Sequence, residues 1–192
     1  RVHCSRWGRR GTLYAVDSGG FRAEEGTLAS MAAGTPEAIA QARPLIEGYS
    51  RVLYHVGQDP GQGQYMKLVN NALCISAYVT TSEALLYGER GGLDMDTMLQ
   101  VLNDSSGQNF STSQIFPKYV ATGRYDESGA YAHIVEKDLG LFVEGTTAML
   151  SPNAVITSAY EVIKAFAQDN PTQDQMRIYP FVRDNRNLSA SD

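Results

Sequence analysis

Lys67 and Asn71 close the run Lys67-Leu68-Val69-Asn70-Asn71, with Cys74 shortly after. In a helix, four-residue spacing puts two side chains on one face. An ammonium and an amide so placed can hold a carbonyl or hydroxyl oxygen through charge-assisted and neutral hydrogen bonds. On spacing alone, a solvated helix lysine beside an ordinary polar asparagine is the plainer reading. Ser18-Gly19-Gly20 can turn backbone N–H groups toward an anion, or can simply be a turn. Ser105-Ser106-Gly107-Gln108-Asn109 offers several donors, or a helix cap and turn. Lys137-Asp138, inside an apolar stretch, either lines a polar pocket or faces water. Gly61-Gln62-Gly63 imitates a dinucleotide fingerprint, but Met66 stands at the third glycine position and would obstruct close helix–strand packing. The acidic residue roughly twenty positions on is Glu83, which falls inside a helix rather than at a strand end. These glycines read as a flexible entry to a helix.

The elements that must carry these residues follow from pattern. Thr12 to Val16 and Thr27 to Ala33 are strand candidates, the first ended by Ser18-Gly19-Gly20 and the second by Gly34-Thr35-Pro36. Thr35 is suited to cap a helix, Pro36 to its first turn, and Glu37 to its dipole. That helix runs to about Gly48, and Arg51 to Val56 gives a third strand. Gln62 to Arg90 is one long helix, with Leu68, Ala72, Ile75, Val79 and Leu86 near helical spacing and Gly91-Gly92 as its stop. Asp94 or Asp96 caps a short helix through Leu102. Ser111-Thr112-Ser113-Gln114 has capping-box spacing. Further helices are expected over Ile134 to Met149 and Val155 to Ala167, and one short element within Thr172 to Phe181. The polar stretch from Arg183 onward is expected to fray.

Composition narrows the function classes. With 43% hydrophobic and 19% charged residues in 192, the chain has the makeup of a soluble folded protein. Its formal net charge of -5 disfavours a nucleic-acid partner, since no broad basic face is available for phosphates. Arg1, Arg6, Arg9 and Arg10 form the one dense basic cluster, read as a solvated end. Cys4 and Cys74 have no CxxC partner, and His3, His55 and His133 are scattered, so structural zinc is not expected. A cytoplasmic protein with reduced thiols is the expectation, with no membrane span and no signal peptide. Arg1 in place of an initiating Met suggests a truncated or processed chain. Strands give way to helices near Gly57 to Gly63. Two domains follow, a strand-strand-helix-strand unit over 11–57 and an all-helical one over 58–182.

From Gly11 to about Tyr179 the chain resembles the β-hydroxyacid dehydrogenase family, which includes 3-hydroxyisobutyrate dehydrogenase. Four stretches in the family's order carry the likeness: Ser18-Gly19-Gly20 with Gly26-Thr27-Leu28; Gly61-Gln62-Gly63 leading to Lys67-Leu68-Val69-Asn70-Asn71; Ser105-Ser106-Gly107; and Lys137-Asp138-Leu139-Gly140. Glu83-Ala84-Leu85 and Gly92-Leu93-Asp94 also match. Each motif is weak, and their order and spacing together are specific. The resemblance implies a mainly α protein, a helical dehydrogenase C-terminal domain like that of 6-phosphogluconate dehydrogenase. It is built on a long central helix and preceded by a partial α/β unit left from a Rossmann-like domain.

The resemblance also implies hydride exchange between NAD or NADP and a small 3-hydroxy acid or a related aldehyde or keto acid. Lys67 then serves in proton transfer and Asn71 orients the substrate. Ser18, Gly19 and Gly20 contact its carboxylate, and Ser106 and Gly107 approach it from the helical domain. Lys137 and Asp138 lie by the cofactor, and a homodimer forms through the helical domain. The chain departs from the family in several places, among them a segment between Gly20 and Gly26 about one residue shorter than usual and an opening Arg1 to Arg10 that matches nothing in it. Tyr14-Ala15-Val16-Asp17 replaces the usual Asp-Ala-Pro-Val, and no glycine-rich βαβ signature precedes Gly11. The alternatives for this chain alone are a non-catalytic helical dimerisation module and a carboxylate-binding module.

Overall fold

The computed structural model describes residues 13–17 and 28–185. Ser18, Gly19, Gly20 and the arginines of the first ten residues lie outside the described residues. The chain forms two compact units, one ending at Asn70 and the other beginning at Asn71.

In the first unit, strand β1 (Leu13–Asp17) pairs antiparallel with β2 (Leu28–Ala33). Helix α1 (Pro36–Glu47) then leads to β3 (Ser50–Gly57), which pairs parallel with β2 and completes the order β1-β2-β3. The expected strand-strand-helix-strand unit is therefore present. Strand β2 reads Leu-Ala-Ser-Met-Ala-Ala and is buried almost throughout, as a central strand requires. Its one hydroxyl, on fully buried Ser30, lies 2.6 Å from the hydroxyl of Ser50 on β3. Thr35 caps α1 by accepting from the Ala38 N–H at 3.3 Å, and Pro36 stands in the first turn, where its missing N–H costs no helical bond.

Helix α2 (Gln62–Arg90) has the expected bounds, and its first turns group with the sheet rather than with the helical unit. Its stop is a Schellman turn: Leu93 N–H donates to Gly88 O at 3.0 Å and Gly92 N–H to Glu89 O at 2.9 Å, with Gly92 at φ +85. Helix α3 (Met95–Asn103) is capped by Asp94 and not by Asp96. The Asp94 carboxylate accepts from the Thr97 N–H at 2.9 Å and from its hydroxyl at 3.0 Å. These two bonds hold the Asp94 carboxyl below its ordinary range. A depressed folded value means that the cap's contribution is present above the unfolded value and lost as pH falls through the folded one. Asp94→Ala is expected to lower the thermal midpoint at neutral pH, and the gap to wild type should close below about pH 4 in melts across an acid series.

Beyond α3 lies a π-helix, Ser111–Val120, where the sequence suggests a capping box at Ser111 and Gln114. The box forms two residues earlier. Asn109 Oδ1 accepts from the Thr112 N–H at 3.1 Å while Thr112 Oγ1 accepts from the Asn109 N–H at 3.0 Å. The widened turn accommodates Pro117, which has no N–H to donate and whose ring crowds the carbonyl four residues back in an α-helix. Helices α4 (Ala132–Ala148) and α5 (Ala154–Asp169) pack together, and a 3-10 turn (Gln175–Arg177) leads into α6 (Ile178–Asp184).

The core of the helical unit gathers Tyr78, Leu85, Phe116, Leu139, Ile163, Phe166, Met176 and Ile178, all essentially without solvent contact. Phe116 is T-shaped on Tyr179 at 5.5 Å and tilted on Tyr78 at 5.6 Å. The Tyr78 hydroxyl donates to Met176 O at 2.9 Å, and burial pushes its pKa far up, so it stays a donor. Asp174, also buried, fastens the segment before α6. Its carboxylate accepts from the N–H groups of Ser128, Gly129 and Met176 and from the Ser128 hydroxyl, at 2.6 to 3.0 Å.

Helix α4 ends in a Schellman turn of its own, with Ser151 N–H donating to Thr146 O at 2.8 Å. Here Leu150, not glycine, takes the left-handed position at φ 54, with its side chain 93% exposed. A side chain there costs roughly 1 kcal/mol and gains no burial in return. Leu150→Gly is expected to raise stability by about 1 kcal/mol, read from the denaturant midpoint at unchanged m-value.

Candidate functional site

Helix α2 carries Lys67 and Asn71 without a break in helical structure, and both side chains are half-buried. Asn71 is tied across the helical unit to α4: its Nδ2 donates to Asp138 Oδ2 at 2.9 Å. The other oxygen of that carboxylate, Oδ1, accepts from Lys137 Nζ. Asp138 is buried at 6% exposure, whereas the Lys137 side chain is half-exposed. The pair divides between its two readings: Asp138 turns inward to a polar cluster joining two helices, and Lys137 keeps half of its side chain in solvent.

Helix α4 is held in the orientation this cluster needs. Asp138 shares its inward side with Val135 and Leu139, both core residues, so the apolar stripe carries the carboxylate toward the interior. One face round, Tyr160 of α5 lies against the backbone of Gly140, where an added Cβ would stand 3.3 Å from the ring. The Tyr160 hydroxyl donates to Glu136 Oε1 at 3.0 Å. Desolvation first, then the Glu136 bond, raises the Tyr160 pKa, which keeps this donor in place. At the far end of α4, Asn153 Nδ2 donates to Thr146 Oγ1 at 2.9 Å.

Ser106 and Gly107 stand exposed on the loop between α3 and the π-helix. A network of its own secures that loop. Asn109 Nδ2 donates to Thr81 Oγ1 of α2 at 3.2 Å, and the Thr112 hydroxyl donates to Asn103 Oδ1 at 2.8 Å. Gly107 sits close over Leu102, at a distance that would put a Cβ 2.7 Å from Leu102 Cδ2. Asn109 and Thr112, which the sequence offers only within a cap-and-turn run and a capping-box run, are anchors of this loop, and Asp174 is an anchor that the sequence does not single out. An i, i+3 polar pair was the available signal for the first two.

No group of three or more His, Cys, Asp or Glu placed to hold a metal occurs among the described residues. For a dinucleotide, the two strand-to-helix turns are the places to look. At β2–α1, Thr35 already caps the helix. At β3–α2, the Gln62 side chain folds back over Gly57, close enough that a Cβ there would stand 1.8 Å from its Oε1, and that oxygen accepts from the Asp59 N–H at 2.9 Å. At each turn the backbone is thus already engaged by a side chain of the chain itself.

Against known proteins, the family model for NAD-binding of NADP-dependent 3-hydroxyisobutyrate dehydrogenase matches residues 61–182. The chain belongs to the 3-hydroxyisobutyrate dehydrogenase family. Among curated members of this dehydrogenase family, an NAD-dependent L-serine dehydrogenase of Pseudomonas aeruginosa is 36% identical over 141 residues, 71% of this chain and 47% of the relative. The 3-hydroxyisobutyrate dehydrogenase of the same organism is 33% identical over 156 residues, 78% of this chain and 51% of the relative. The chain thus spans about half the length of the curated relatives it matches. Its fold is that of the solved Mycobacterium tuberculosis 3-hydroxyisobutyrate dehydrogenase with L-serine. The TM-score there is 0.83 at 24% identity, over 90% of this chain and 60% of that one. The mainly α dehydrogenase fold with its partial α/β unit is therefore present, and NAD(P) is the cofactor of the family.

Proposed function

We propose that this chain supplies the substrate side of a hydroxyacid dehydrogenase, with Lys67 and Asn71 meeting the oxygen of a small 3-hydroxy acid. The observation that carries the reading is the part-buried tie from Asn71 to Asp138, which lies inside the family-matched region and starts from the helix that carries Lys67. A nicotinamide nucleotide, NAD or NADP, supplies the hydride chemistry in this family. Lys67 places positive charge where negative charge grows on the substrate oxygen. In the oxidation direction its neutral amine takes the alcohol proton, and in reduction its ammonium returns it. Asn71 orients the hydroxyl-bearing carbon. Ser18, Gly19 and Gly20 receive the carboxylate, Ser106 and Gly107 border it from the helical unit, and Lys137 faces the cofactor with its half-exposed ammonium.

A homodimer through the helical unit belongs to the same reading, because α2 turns Leu73 and Tyr87 to solvent at 65% and 83% exposure. No helix among the described residues is long and apolar enough to cross a membrane, which suits a cytoplasmic setting.

The test is turnover by the protein expressed from its complete gene, with NAD+ or NADP+ and either 3-hydroxyisobutyrate or L-serine. Growth of reduced-nicotinamide absorbance that requires both acid and nucleotide is the expected result. Failure with both acids and both nucleotides contradicts it.

A further inference from the structure

The Asn71–Asp138–Lys137 cluster assigns a task to its buried carboxylate, and the assignment rests on the substrate role given above to Asn71. We infer that Asp138 is a positioning residue acting through Asn71: it fixes which way the asparagine amide faces. An asparagine offers a donor on one side of its amide and an acceptor on the other, and the two are nearly equal in shape. An ionised carboxylate only accepts, so it admits the nitrogen side of Asn71 and refuses the oxygen side. Asp138 Oδ2 receives Nδ2 at 2.9 Å, which turns the amide oxygen away from α4.

The carboxylate itself has little freedom. Its Oδ1 is engaged by Lys137, the residue is 6% exposed, and Val135 and Leu139 anchor the same side of α4 in the core. Tyr160, with its ring on Gly140 and its hydroxyl on Glu136, holds α4 from the opposite helix. Swinging Asp138 out to a ligand would break both its bonds and leave Asn71 without its charged acceptor, a costly exchange in a buried site. Lys137, half-exposed, is the member of the pair with surface to offer a cofactor. The role this geometry gives Asp138 is thus amide orientation rather than ligand contact.

The test uses Asp138→Asn, an isosteric change whose side chain accepts or donates and so no longer dictates the orientation, in the protein from the complete gene. Two measurements are made. The side-chain amide protons of Asn71, assigned by NMR, report orientation without any ligand. They should lose exchange protection and move in Asp138→Asn. The Kd for 3-hydroxyisobutyrate is then measured in wild type, Asp138→Asn, Asn71→Ala and the double variant. About a tenfold loss is expected from Asp138→Asn alone, and none beyond about twofold when it is added to Asn71→Ala. Unmoved Asn71 amide signals overturn the inference, as does an equal loss in both backgrounds or a loss of NAD+ or NADP+ affinity that persists in Asn71→Ala. If wild type binds no 3-hydroxyisobutyrate, the substrate reading falls, and the amide signals alone still decide whether Asp138 orients Asn71.

Discussion

Replacing Lys67 with alanine is expected to lower kcat about 10²- to 10⁴-fold while leaving the thermal midpoint within a degree or two of wild type. The first half follows from the proposed role: without the amine, no group on α2 carries a proton to or from the reacting oxygen or balances the charge that develops there. The second half follows from placement. Lys67 is half-exposed inside a long helix, and alanine is the best helix former, so the backbone loses nothing. Lys67→Arg separates the two parts of the role. Arginine keeps the positive charge but does not give up its proton, so a variant that binds the acid yet turns over as poorly as Lys67→Ala assigns proton transfer to Lys67. Near-normal steady-state turnover in Lys67→Ala removes the residue from the chemistry.

Asn71→Asp carries the second large effect, and here fold and function move together. The substitution keeps the shape of the side chain but sets a carboxylate oxygen where Nδ2 now donates to Asp138 at 2.9 Å. Two carboxylates at that separation cannot both ionise without penalty, so one of them has its folded pKa raised above the unfolded value. For an acid raised in this way, the loss of stability grows as pH rises above about 4 and disappears in acid, where the shared proton is retained. A loss of about 1–3 kcal/mol at neutral pH is expected, with the variant approaching wild type on acidification, read from denaturant melts at several pH values. The added negative charge also repels a carboxylate substrate, and KM should rise by about tenfold or more with a smaller change in kcat. Unchanged KM contradicts the placement of Asn71 beside the substrate.

Much of the framework that carries these residues was legible in the sequence, because local signals fix it. The bounds of α2 follow from helical apolar spacing and from Gly91-Gly92, which permits the positive φ of its terminating turn. Thr35-Pro36-Glu37 announces α1 through a cap, a fixed φ and a favourable charge. The family resemblance, carried by Lys67 to Asn71 and Lys137 to Gly140, agrees with the family match over residues 61–182.

What local pattern could not give were pairings between distant positions and a change of helical type. Nothing near Asn71 in sequence points to Asp138, and nothing near Ser128 points to Asp174; each bond is made by tertiary packing. The spacing of Ser111 and Gln114 resembles a capping box, yet Asn109 reaches the free N–H groups first and Pro117 opens the following turns to a π-helix. The rotation of α4 likewise depends on Tyr160 lying on Gly140, a contact across two helices that no periodicity within either one encodes.

In the proposed site a cationic side chain of α2 meets the oxygen of a small acid. A crystal structure of the protein bound to 3-hydroxyisobutyrate addresses it directly. Lys67 Nζ is expected within about 3 Å of the substrate hydroxyl, with the Asn71 amide on the same oxygen or its neighbour. An acid bound elsewhere, with Lys67 pointing into solvent and Asn71 touching only Asp138, contradicts it.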